Sequence, residues 1–152
     1  MIISLMITRF KENPQEVSMK KVLLGLHLFV GLGAIAGGLG AVMNPTKPMG
    51  MSIEALKLGP FDSFLVPGLF LMLIIGVGNL TAGVVLLKKY PLWVYFSGFE
   101  AIALVLWIVI QCIILQSIVA LHVIFFIFGV IQGLIALYYF TKDTLKLSVL
   151  NR

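Results

Sequence analysis

Charge is scarce in this sequence. Only 11% of its 152 residues are charged, against about 25% in an ordinary soluble domain. Acidic residues number six. There is a single cysteine, Cys112, so an internal disulfide, Cys-pair redox chemistry and a thiolate zinc site are excluded. Strand-like alternation of apolar and polar residues is absent, which excludes a membrane β-barrel. No nucleophile–base pair stands out, so a membrane enzyme of quinone or lipid chemistry is disfavoured, though the enzyme question stays open. No cofactor or metal site is expected, and no nucleic-acid partner.

What is abundant is apolar surface. Apolar residues make up 61% before glycine is counted, against about 45–50% with glycine included in an average domain. Mean hydropathy is +1.12. This excludes a soluble domain, a disordered tail and a collagen-like chain, and places the protein in a lipid bilayer.

Four apolar runs cover residues 22–43, 64–87, 92–115 and 118–140. Each exceeds the roughly 20 residues that cross about 30 Å of hydrocarbon. Backbone groups in lipid must be satisfied internally, so the runs are helices. The expected fold is all-α, a four-transmembrane-helix bundle. Residues 1–21 form an N-terminal segment, 44–63 a loop at the opposite end, and 141–152 a tail.

Basic residues alternate between connections. Arg9, Lys11, Lys20, Lys21, Lys88, Lys89, Lys142, Lys146 and Arg152 fall on one side, and Lys47 and Lys57 on the other. The positive-inside rule then puts both termini in the cytoplasm of a bacterial cell. Tyr90, Trp93, Tyr95, Tyr138 and Tyr139 suit the aromatic belt at that surface. Lys88–Pro91 and Gln116–Ser117 are tight hairpin turns. A short amphipathic helix fits Ser52–Leu58.

Two readings of the N-terminus stand side by side. Met19-Lys20-Lys21 opens straight into an apolar run, like a bacterial start. Gln15-Glu16-Val17 is encodable by a purine-rich ribosome-binding sequence. The native chain then begins at Met19, or else residues 1–18 are a genuine cytoplasmic segment. The gene's nucleotide sequence decides.

Some motifs mislead. Gly31-Leu32-Gly33-Ala34-Ile35-Ala36 matches G-x-G-x-x-A, but a dinucleotide site needs a preceding strand, and this match lies in a spanning helix. Asn79-Leu80-Thr81 is a sequon placed inside the membrane, out of reach of glycosylation. His27 and His122 lack carboxylates at ligand spacing. Gly33-x-x-x-Gly37 and Gly129-x-x-x-Gly133 are instead small-residue pairs that allow close helix packing, within one bundle or between two copies.

The informative residues are polar ones within the spans. Asn79, Glu100 and Gln132 each lie eight residues, about 12 Å, from the basic end of their spans. His27 lies about 8–10 Å into the first. Each helix thus brings one polar side chain to a similar depth. Glu100 is the most costly, since insertion of a central acid costs about 2.5–3.5 kcal/mol. Glu100, Leu104, Trp107 and Gln111 share one helix face at 100° per residue. The candidate ligand- or proton-binding residues are therefore Glu100, Asn79, Gln132, His27, Gln111 and Trp107.

Gly59-Pro60-Phe61-Asp62-Ser63-Phe64-Leu65-Val66-Pro67-Gly68, followed by Gly76-Val77-Gly78-Asn79, resembles a pattern in an uncharacterised family of small four-helix bacterial integral membrane proteins. There is also an architectural likeness to DoxX-like proteins. The resemblance implies the same four-span fold and no particular activity. Asp62 or Ser63 is placed to cap the second span.

Two functional expectations follow. One is a binding or transport protein for a small molecule or proton at Glu100. The other is an accessory subunit packed against a larger membrane partner.

Overall fold

A computed structural model describes residues 13–150. Four helices carry the chain: α1 (Pro14–Met43), α2 (Leu65–Leu87), α3 (Trp93–Leu115) and α4 (Ala120–Leu150). All four are long and apolar enough to cross a membrane. Their order is antiparallel around a ring: α1 packs on α2 and α4, and α3 packs on α2 and α4. Among the described residues there is no strand. Outward faces are apolar, with Phe29, Leu32, Phe99, Ile102 and Leu134 all exposed. A soluble protein rarely exposes such a surface, whereas lipid requires it.

α1 starts at Pro14, eight residues before the apolar run expected at 22. Apolar pattern marks the hydrocarbon-crossing part of a helix, whereas caps mark its ends. The Asn13 side chain accepts from Gln15 N at 3.3 Å, and Pro14 occupies the first turn, where a missing N–H costs little. Residues 1–12 of the expected N-terminal segment lie outside the described part. The extra turns are anchored: Tyr139 donates to Glu16 O at 2.8 Å, and Glu16 pairs with Lys142. For the same reason α4 runs past the expected span end at 140, through Thr141 and Lys142.

The basic end is closed by Leu23, Leu86, Trp93, Val94, Ile135 and Tyr139. Lys20 lies 5.3 Å from the ring centres of both Trp93 and Tyr139, a geometry that favours a cation over aromatic faces. α2 ends in a Schellman motif: Tyr90 N bonds Val85 O at 3.1 Å and Lys89 N bonds Leu86 O at 3.0 Å. Lys89 takes the left-handed position with φ 52°.

At the opposite end the connection folds over the bundle. Phe64 N bonds Pro45 O at 2.8 Å, which closes the loop at its base. The amphipathic helix expected at Ser52–Leu58 is a single 3₁₀ turn, Ile53–Leu56, started by Ser52. Gly59 and Pro60 follow too closely for a longer helix. Ser63, rather than Asp62, reaches the first turn of α2, accepting from Leu65 N at 3.4 Å.

α1 and α2 approach through glycine. A Cβ at Gly38 would lie 2.6 Å from Gly68 O, and one at Gly76 would lie 3.1 Å from Ile35 N. The closest seam is thus Gly31, Gly38, Gly68 and Gly76. Gly33 and Gly37 sit beside it and meet only side chains, Phe125 and Leu71. Gly129 lies against Val105 and Ala101, and Gly133 faces the Ala101 methyl at 3.6 Å.

Within α2, Leu71–Val77 winds as a π-helix. Such a wide turn disturbs the regular backbone ladder and is common at functional sites. Here it lies directly before Asn79.

Candidate functional site

The core-facing stripe of α1 is Leu23, His27, Val30, Gly31 and Ala34. The stripe of α3 is Ser97, Glu100, Ala101, Leu104, Trp107 and Ile108. Helical spacing of three and four puts these residues on single faces. His27 and Glu100 therefore point to the bundle axis for the same reason as the leucines around them. Asn79 on α2 and Gln132 on α4 join them.

The result is one connected layer. His27 Nδ1 lies 2.8 Å from Asn79 Oδ1, and His27 Nε2 lies 2.9 Å from Ser97 Oγ. Asn79 Nδ2 donates to Glu100 Oε2 at 3.2 Å and to Ile75 O at 2.9 Å. Gln132 Nε2 donates to Asn79 Oδ1 at 3.0 Å. His27, Asn79, Ser97 and Gln132 are fully buried, and Glu100 is 4% exposed. The bonds cross both diagonals of the ring, α1 to α3 and α2 to α4.

Donor and acceptor counting fixes the protons. The two acceptors Ile75 O and Glu100 Oε2 hold the amide NH₂ of Asn79, so its oxygen faces His27. An oxygen at 2.8 Å requires a proton on His27 Nδ1. Nε2 then accepts from the Ser97 hydroxyl when the ring is neutral, or donates to it when charged. Gln132 Nε2 lies 3.1 Å from His27 Nδ1. Both atoms carry protons in this arrangement, so the hydrogen bond of Gln132 is the one to Asn79. Its own carbonyl oxygen, Oε1, is buried without a partner.

Among the described residues, Glu100 has no ion-pair partner. The ion pairs among the described residues are Glu54–Lys57 and Glu16–Lys142. Its link to His27 runs through the Asn79 amide. The carboxyl lies flat on Gly78, where a Cβ would stand 2.6 Å from Cδ and 2.8 Å from Oε2. Gly78 is therefore the recess that admits the acid.

Four of the six residues picked from sequence, Glu100, Asn79, Gln132 and His27, meet in this layer. Trp107 and Gln111 do not; they line a separate cavity toward the loop end of α3. Ser97 was missed. Its signal was available, three residues before Glu100 on the same face, but a lone serine in an apolar helix commonly bonds its own backbone. His122 is buried at the loop end, where Val119 N approaches its Nδ1 at 3.4 Å. Among the described residues, no three His, Cys, Asp or Glu side chains group as metal ligands. Comparison with protein-family models, with curated proteins and with solved structures gave no match to this chain.

Proposed function

We propose that this is a small multi-pass protein of a bacterial cytoplasmic membrane that binds a proton at the layer of Glu100, Asn79 and His27. One observation carries the reading. An acid and an imidazole, both buried, are bridged by a single amide: Glu100 Oε2 to Asn79 Nδ2, Asn79 Oδ1 to His27 Nδ1. A layer that only holds helices together needs hydrogen bonds, which a glutamine at position 100 would supply as well as an acid. An ionisable pair at a cost of several kcal/mol is expected where protons are bound or moved. Gln132 Oε1 is a further buried acceptor at the same place, without a partner of its own.

The test is thermal unfolding of purified protein in detergent between about pH 5 and 8, where imidazole ordinarily titrates, comparing wild type with Glu100→Gln. A group that exchanges a proton differently in the folded and unfolded chain makes stability depend on pH. The two profiles should diverge, while helix content stays the same. Superimposable profiles would reject proton binding at Glu100. They would favour the second reading, an accessory subunit whose layer only locks the bundle before it meets a larger membrane partner. That reading draws on the dense bonding around Asn79.

The same proposal places the basic end in the cytoplasm. Support comes from the basic residues, nine at that end and two at the other. With Cys112→Ala as background, an impermeant maleimide should label Thr46→Cys in intact cells and Lys89→Cys only after permeabilisation. The opposite pattern would reverse the orientation.

A further inference from the structure

A second feature lies apart from the polar layer. A cavity of about 280 Å³ occupies the loop half of the bundle, and all four helices and the loop contribute to it. Ile75 and Leu104 separate it from the layer, one turn beyond Asn79 and Glu100 respectively. Leu56, Phe61 and Phe64 line it from the loop. No Asp, Glu, Lys or Arg is among its walls, and apart from Trp107, Gln111, Ser117 and His122 they are apolar, which favours an uncharged ligand.

One wall residue is unusual. Trp107 is 5% exposed, and its indole N–H has no hydrogen-bond partner. Stacking on Phe70, with ring centres 4.5 Å apart, holds the ring in place. A buried donor without an acceptor is costly, and buried tryptophan N–H groups usually find one. Size narrows the occupant further. An engineered apolar cavity of about 150 Å³ takes benzene. On that scale this one holds about a dozen carbons, less than a whole membrane lipid.

We propose that this cavity is a binding site for an uncharged, lipophilic molecule of bicyclic size whose carbonyl oxygen accepts from Trp107 Nε1 once the side chains that cover that atom shift. The molecule is a free one, rather than the ester group of a bilayer lipid. The proposal stands independently of proton binding at Glu100.

The test uses the full chain in lipid nanodiscs, with 1-acetonaphthone as probe and naphthalene as its counterpart lacking the acceptor. Retention above empty nanodiscs should be saturable and roughly two- to tenfold tighter for the ketone, the range one net hydrogen bond provides. In Trp107→Phe the two probes should bind alike. With indole-¹⁵N tryptophan, the ketone should move the Trp107 proton resonance downfield, while that of Trp93 stays in place. Trp93→Phe assigns the two signals. Equal retention of both probes by wild type, a ketone preference that survives in Trp107→Phe, or an unmoved Trp107 resonance would each overturn the proposal. Should Trp107→Phe fail to fold, the wild-type resonance alone decides. Nanodiscs of ether-linked lipid settle the source. A probe-free Trp107 resonance that differs between ester and ether lipids would assign the site to a lipid carbonyl and overturn binding of a free molecule.

Discussion

Gly38→Ala is expected to destabilise the bundle by about 3 kcal/mol, at the upper end of overpacking penalties. The new methyl would lie 2.6 Å from Gly68 O and 2.8 Å from Met72 N. Both are backbone atoms of α2, so no side-chain rotation can relieve the clash. The helices must separate by roughly 1 Å to restore ordinary contact, and dispersion along the seam is lost with it. Lipid supplies no hydrophobic force between helices, so a loss of close packing is felt directly. Gly25→Ala is the control, since no atom lies within 4 Å of a Cβ there; its effect should stay within about 1 kcal/mol, the scale of helix propensity. Denaturant unfolding in mixed micelles measures both. Equal stability of the two variants would mean that α1 and α2 are further apart than described.

Asn79→Leu should cost about 2–3 kcal/mol. Asn79 bonds Glu100, His27 and Gln132 across helices and Ile75 O within its own, and hydrogen bonds between membrane helices average about 0.6 kcal/mol each. Leucine removes all four and leaves an acid and an imidazole facing hydrocarbon. Ser97→Ala removes only the bond to His27 Nε2, and should cost about 0.6 kcal/mol on the same scale. The same unfolding measurement distinguishes them. If Asn79→Leu costs no more than Ser97→Ala, Asn79 is not the centre of the layer.

The four spans were legible because lipid imposes one rule on length and composition. The depth match of Asn79, Glu100 and Gln132 was legible too. Both hairpin turns are short, so residues equally far from a turn stand at equal height. Which polar groups touch was not legible. Depth says nothing of rotation about a helix axis, and the π-helical stretch before Asn79 alters that rotation by an amount no apolar pattern records. The glycine seam shows the same limit. Gly33 and Gly37 satisfy the small-x-x-x-small spacing, yet Gly31 and Gly38 make the close approach. Which pair does so depends on where α2 crosses α1. The start of α1 at Pro14 escaped because Asn13 and Pro14 are polar or neutral in hydropathy while being good helix initiators. The cavity beside Trp107 escaped because volume between helices is a property of the assembled bundle.

The central claim is that Glu100 exchanges a proton inside the bundle. Infrared difference spectroscopy of the protein in lipid observes this directly, through the carbonyl stretch of a protonated carboxyl group. Wild type should gain such a band on acidification, with a frequency that marks a hydrogen-bonded acid in a dry environment. Glu100→Gln should lack it, and Asn79→Leu should shift it, because the Asn79 amide donates to the carboxyl. A spectrum in which Glu100→Gln removes no titrating carboxyl band would contradict proton exchange at this residue and leave the layer as helix packing alone.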